Sequence, residues 1–236
     1  MLAIWKRELQ SYFYTPVGYV FMGVFLALSG TFFYMLILGS RSSDVLTFLG
    51  QISYLWMLLS PVLTMRLLAE EKQKRTDQLL LTSPVSLPGI VLGKYLAAVT
   101  VMLCTVLLTL IYVAIIAMYG QVYPSELLVG YLGFILQGSA FLALDLFISG
   151  CAGSQVTAAV TAFGVNLALW LMDLLAGNVT QSWLKELLQF FSLYDRYNPF
   201  LMGQLSFASI GYDLSFIAAF LVLTIHTLDS RRYRGA

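Results

Sequence analysis

The chain has 236 residues, of which 59% are hydrophobic and 11% charged, with a mean hydropathy of +0.83. A soluble domain carries about 25% charged residues, so this composition excludes a soluble globular protein and points to an integral membrane protein. The net charge of +1 lies along the edges of apolar runs and leaves no basic face of the kind nucleic-acid binding requires.

Leu2, Trp5, Leu9, Tyr12 and Phe13 recur mostly at three- and four-residue intervals, with Lys6, Arg7, Glu8 and Gln10 between them. The pattern predicts an amphipathic helix over 1–15, its polar residues on one side, lying along the inner membrane surface with Trp5 and the tyrosines at headgroup depth. Thr15-Pro16 ends it, because proline disfavours helical geometry in the residue before it. These residues lack the order of a cleavable signal peptide, so the first span is expected to direct insertion itself.

No charge falls between Glu8 and Arg41, between Lys94 and Glu126, or between Asp145 and Asp173. A spanning helix needs roughly 20 apolar residues, and the breaks predict six spans: 17–39, 45–64, 95–119, 127–148, 156–175 and 214–228, the last short and open to an upstream start. Runs without period-two alternation satisfy their backbone groups in hydrocarbon as helices. The expected fold is one all-α polytopic domain over 1–236.

Between the second and third spans, the segment 66–94 crowds Arg66, Glu70, Glu71, Lys72, Lys74, Arg75 and Asp77 together. Lys and Arg in a short loop beside membrane spans hold it on the cytoplasmic side. With the N-terminus inside, the cytoplasmic set is Lys6, Arg7, Arg66, Lys72, Lys74, Arg75, Lys94, Arg231, Arg232 and Arg234, against Arg41, Lys185 and Arg196 outside. Both termini are therefore expected in the cytoplasm. Glu70 to Lys74 and Glu71 to Arg75 are acid-before-base pairs at i,i+4, which predict a short exposed helix. Leu79, Leu80 and Leu81 follow; they either return to the bilayer interface or fill a cleft on another protein, and a solvated connector serving topology alone is the bland reading.

In the fourth and fifth spans Gly130, Gly133, Gly138, Gly150 and Gly153, with Ala158, Ala159 and Ala162, let helix backbones approach, within one subunit or across a dimer face. Asp145 is an intramembrane carboxylate, either a polar anchor bonded to neighbouring Ser or Thr or part of a substrate or proton path. Asp173 lies near the outer end of its span. Cys104 and Cys151 read as packing residues, and His226 has no companion at ligand spacing, so no metal site is expected. The segment 176–213 reads as external. Ser182 would cap a short amphipathic helix whose face is Trp183, Leu184, Leu187, Leu188 and Phe191, followed by Tyr194, Tyr197, Pro199 and Phe200.

The string EEKQKRTDQLLLTSPVSLPGIVLGKYLA resembles the loop between the second and third spans of ABC-2 type transporter permeases. WKRELQSYFYTPVGYVF, ISGCAGSQVTAAVTAF and LDSRRYRG are similar to the gliding-motility-type branch of that family. The resemblance implies that Glu70 through Leu81 form a coupling helix inserted into a partner ATPase, with Glu70, Glu71, Lys72, Lys74, Arg75, Thr76, Asp77, Gln78, Leu79 and Leu80 carrying the contact. Many relatives have a glycine before the position of Thr76 and a Glu soon after it; here Arg75 and Asp77-Gln78 stand there. The resemblance also implies a bacterial inner-membrane location, a second permease copy or paralogue, a possible envelope auxiliary protein, and short external or re-entrant helices before the last span.

No GxxxxGK[ST] phosphate loop occurs, so this chain is not expected to be an enzyme or to bind a cofactor; ATP and Mg belong on the partner ATPase. No residue points to a particular substrate. Two rivals to ATP-driven export stay open: a mechanical or assembly role in the envelope or a gliding machinery without transported solute, and an ion-coupled secondary carrier using Asp145.

Overall fold

The computed structural model describes residues 1–74, 86–176 and 192–234. Its elements in chain order are α1 (Leu2–Tyr14), α2 (Pro16–Phe33) running into a π turn (Tyr34–Leu38), α3 (Val45–Gln73), α4 (Leu87–Tyr119), α5 (Pro124–Cys151), α6 (Gln155–Ala176), α7 (Leu193–Leu201) and α8 (Phe207–Arg234). Among the described residues there is no strand, and six helices are long and apolar enough to cross a membrane: α2 with its π turn, α3, α4, α5, α6 and α8. The protein is an all-α multi-pass membrane protein.

Local chemistry sets the starts. Proline occupies the first turn of α2, α4 and α5, where its missing N–H has no intrahelical acceptor to lose. Thr15, forced extended by Pro16 (φ −94°, ψ 153°), separates α1 from α2. Gly18 makes that corner possible, because a Cβ there would stand 2.7 Å from the Tyr12 carbonyl oxygen. Asp44 caps α3, accepting from the Thr47 amide at 3.1 Å and the Thr47 hydroxyl at 2.6 Å.

Three boundaries differ from the sequence expectation. α3 continues through its charged residues to Gln73 instead of ending near Thr64. α4 begins at Leu87, two turns before the expected 95, with Pro88 in its first turn, and α8 begins at Phe207, the upstream start that the short last span left open. Charge marks where hydrocarbon ends, not where hydrogen bonding ends, so helices outrun apolar windows. Both described ends of 66–94 are consequently helical, while residues 75–85 lie outside the described residues.

α3 and α5 form the centre, mostly buried; α6 and α8 expose most of their apolar side chains. Trp56 of α3 anchors the core, with Phe21, Phe25 and Phe134 edge-on at centroid distances of 5.7, 5.6 and 6.2 Å. Small residues let the helices approach. A Cβ at Gly130 would stand 2.6 Å from Leu46, at Gly133 2.5 Å from Phe200, and at Gly138 2.8 Å from the Met102 sulfur. These close approaches lie within the subunit, whereas Gly153 has open space around its Cβ direction.

α7 packs into the far end of the bundle. Ser192 caps it by accepting from the Asp195 amide at 2.9 Å and donates to Asp173 of α6 at 2.6 Å. Leu193, Tyr194, Tyr197 and Phe200 are buried, and the Tyr194 hydroxyl reaches the Ser53 carbonyl. Burial holds the hydroxyl groups of Tyr194 and Tyr197 well above the usual tyrosine range. The amphipathic stretch Trp183–Phe191 expected before α7 lies outside the described residues.

Candidate functional site

The end of the bundle that holds α1 gathers its charges around the last turns of α3. Along that helix Glu70 pairs with Lys74 at 2.6 Å and with Arg66 at 3.5 Å, both at i,i+4 spacing. Glu71, one residue on, points a different way. Its Oε1 accepts from Lys94 Nζ of α4 at 2.8 Å and from Arg7 of α1 at 3.2 Å. Glu8 of α1 closes the ring, accepting from Lys94 at 3.1 Å and Arg7 at 2.7 Å. Two cations and two carboxylates from three helices thus neutralise one another, with Lys94 only 1% exposed.

Burial alone would push the Glu8 carboxyl up, but Lys94 and Arg7 outweigh it and leave Glu8 below its ordinary range. The hydrogen bond to Glu8 opposes desolvation at Arg7 and, with the charges of Glu8 and Glu71, holds its guanidinium above the ordinary value. The ring is a set of committed ion pairs, and a lysine buried without them would be severely destabilising.

Other contacts fasten the same stretch of α3. Arg66 donates to Ser11 at 2.7 Å and Thr15 at 3.2 Å and lies 5.3 Å above the Tyr12 ring. The buried Tyr12 hydroxyl donates to the Leu63 carbonyl at 2.6 Å, and Trp5 of α1 donates to Thr100 of α4 at 3.0 Å. On the opposite flank Ser149 of α5 accepts from the Leu68 and Ala69 amides and donates to the Met65 carbonyl. Lys72 donates to the Ala152 carbonyl after α5, and Gln73 accepts from the Gln155 amide opening α6. The tip of α3 is therefore tied to α1, α4, α5 and α6 while Lys74 stays exposed.

Of the residues picked out by sequence, Glu70, Glu71 and Lys72 sit in the last turn of α3 and Lys74 caps it. Arg75, Thr76, Asp77, Gln78, Leu79 and Leu80 lie outside the described residues. Glu8, Lys94, Tyr12 and Ser149 were not singled out, and two of them carried a signal. Glu8 follows Trp5 by three residues and precedes Tyr12 by four, which puts it on the packed face of α1 and not with Lys6 and Gln10. Lys94 sits two turns inside an apolar helix, where a lone lysine requires a carboxylate.

A second polar cluster lies deeper. Asp145 of α5, 1% exposed, is bonded through Oδ2 to Ser60 of α3 at 2.6 Å and through Oδ1 to Asn166 of α6 at 3.0 Å. Ser60 adjoins Pro61, which removes the amide that would otherwise serve the Met57 carbonyl. Asn166 Nδ2 reaches that carbonyl at 3.2 Å. His226 is exposed on α8, and no group of three or more His, Cys, Asp or Glu able to hold a metal occurs among the described residues.

A family model described as ABC-2 family transporter protein matches residues 46–228, from the start of α3 to the last turns of α8. No curated protein matches the chain.

Proposed function

The chain belongs to the ABC-2 transporter family, and from that premise we propose that it is the permease subunit through which a separate ATPase drives movement of a substrate across a bacterial inner membrane. In this reading the end that holds α1 is the cytoplasmic one, with both termini there, which the excess of Lys and Arg beside those span ends supports. ATP and Mg sit on the partner, since the chain contains no phosphate loop.

The observation that carries this reading is the attachment of the α3 tip. A helix end that receives a push is useful only if the push reaches the spans, and α3 is bonded at that end to α1, α4, α5 and the start of α6. The exposed Lys74, with Arg75 through Leu80 beyond it, is offered to the ATPase. Displacement there moves the whole cytoplasmic end of the bundle. Two permease copies with two ATPases complete the assembly, the lipid-facing α6 and α8 leaving apolar surface for a partner subunit or lipid. The gliding-motility-type assignment within the family rests on the quoted sequence strings alone. A mechanical role in the envelope would use the same attachment with a different output, and an envelope auxiliary protein is the component that would reveal it.

Purification of the tagged chain in mild detergent, with identification of what accompanies it, tests the reading. An ATPase of the ABC type is expected in stoichiometric amount, and ATP hydrolysis by the complex should respond to changes in the α3 tip. A permease that performs its task without any ATPase, or an α3 tip found on the periplasmic side by cysteine labelling, would overturn it.

A further inference from the structure

Asp145 lies about 9 Å from the end of α5, well inside a span, yet among the described residues no lysine, arginine or histidine lies within ion-pair distance of it. The charged groups on the helices around α5 point elsewhere. Lys94 of α4 is held by Glu8 and Glu71, Lys72 of α3 by Ala152, Asp173 of α6 by Ser192, and Arg196 of α7 lies over Tyr212 of α8. His226 of α8 is exposed, and Asp213 of the same helix, though buried, makes no hydrogen bond through Oδ1. What faces Asp145 is neutral: the Ser60 hydroxyl and the Asn166 amide.

The hydrogens of this cluster can be counted. Asn166 Nδ2 supplies two, one to Asp145 Oδ1 and one to the Met57 carbonyl orphaned by Pro61. Ser60 supplies one, with two oxygens in reach: Asp145 Oδ2 at 2.6 Å and the Met57 carbonyl at 3.4 Å. With the serine hydrogen on Asp145, a bare anion remains in a low-dielectric interior with two neutral donors, an arrangement strongly disfavoured there. One added proton changes this. Placed on Oδ2 it donates to Ser60 Oγ, the serine hydrogen turns to Met57, and the cluster becomes neutral with every hydrogen used. Asn166 Oδ1 is without a partner in both arrangements.

We propose that Asp145, Ser60 and Asn166 form a proton-binding site, one proton resting on Asp145 Oδ2 in this conformation and bridging to α3 beside Pro61. The site ties three helices at the point where α3 lacks a backbone hydrogen bond. Separation of α3 from α5 removes the Ser60 oxygen that accepts the proton, so movement of α3 away from α5 and release of the proton are linked. The inference concerns the resting protonation of this chain and stands whether or not an ATPase is its partner.

Infrared spectroscopy of the purified full-length protein in lipid nanodiscs at neutral pH tests it, with carboxyl-labelled [13C]aspartate identifying aspartate bands. A protonated-carboxyl C=O band that shifts on labelling is expected, lost in Asp145→Asn and retained when Asp173, Asp195, Asp213 and Asp229, the other buried or half-buried aspartates among the described residues, are all changed to Asn. Should Asp145→Asn fail to accumulate, retention in the protein with those four aspartates changed to Asn decides; should that protein fail, loss in Asp145→Asn decides. Label-sensitive carboxylate bands alone would overturn the proposal. So would a carboxylate band of Asp145 that moves when sodium is exchanged for choline, which would make the bound cation a metal.

Discussion

Lys94 Nζ stands 2.8 Å from Glu71 Oε1, joining the first turns of one span to the last turn of the span before it, in a site where the lysine is 1% exposed. The pair closes in space the two described ends of a connection that is highly charged in sequence, and Glu8 and Arg7 bring the N-terminal helix into the same junction. Helix α1 is thereby part of the structure that holds the α3 tip.

Replacing the lysine should show how much this junction holds. Lys94→Met leaves Glu8 and Glu71 facing each other with only the half-exposed Arg7 between them, and breaking a buried pair in this way costs about 3 kcal/mol. Thermal unfolding of the purified protein should shift down accordingly, and adding Glu71→Leu to Lys94→Met should recover part of the loss. Unchanged unfolding in the single variant would show the ring to be energetically idle.

The same junction sets a pH window for docking of α1. Glu8 is held below its ordinary value of 4.5, so its contribution is present above that pH and is lost as pH falls through the lower folded value. Tyr12, raised by burial above its ordinary 10.0, contributes fully below that pH and loses its contribution progressively as pH rises from there through the higher folded value. Emission from Trp5, isolated as the difference between the wild type and Trp5→Phe, should stay constant between these limits and change outside both. A change centred near neutral pH would contradict the assignment.

Spans were legible in the sequence because hydropathy integrates over about 20 residues and tolerates local exceptions. Their ends were not, since Arg66, Glu70 and Glu71 ended the apolar window without ending the hydrogen-bond ladder. The Lys94 ring required knowledge of which turns of three helices meet, and i,i+4 logic along one helix assigned Glu71 to Arg75 before Lys94 could compete. Asp145 was visible as an intramembrane acid, but its partners Ser60 and Asn166 lie 85 and 21 residues away and carry no signal of their own. Gly133 and Gly138 announced close packing without saying against what; Phe200, Trp56 and Met102 supply the answer.

Charges that face outward from the α3 tip should matter for coupling and little for stability. Glu70 and Lys74 form a pair worth at most about 1 kcal/mol at such exposure. Glu70→Ala/Lys74→Ala should insert and unfold like the wild type, while transport per ATP hydrolysed by the complex falls severalfold. Extending the change to Arg75 should deepen the loss. Full coupling in the triple variant would remove this end of α3 from the ATPase interface.

Glycine contacts predict a position-dependent response. Alanine at Gly133 would press its Cβ to 2.5 Å from the buried Phe200, and overpacking of this kind costs about 1–3 kcal/mol, more than the helix propensity gained. Gly153→Ala meets nothing within 4 Å and should be neutral within about 0.5 kcal/mol. Comparable unfolding temperatures for the two variants would mean that α7 does not pack on α5 as described.

Pro61 of α3 gives the last test. Pro61 lacks the N–H that would bond the Met57 carbonyl, and Asn166 supplies a hydrogen there from α6. Asn166→Ala should therefore leave that carbonyl served only by Ser60 at 3.4 Å, a weak contact, and cost about 1–3 kcal/mol. In a Pro61→Ala background the restored backbone N–H takes over the carbonyl, so the same Asn166→Ala change should cost about 1 kcal/mol less, the remainder reflecting the bond to Asp145. The double-mutant cycle isolates the exchange of a side-chain donor for a backbone one. Strict additivity would mean that Asn166 serves Asp145 alone and that the Met57 carbonyl does not depend on this substitution of donors.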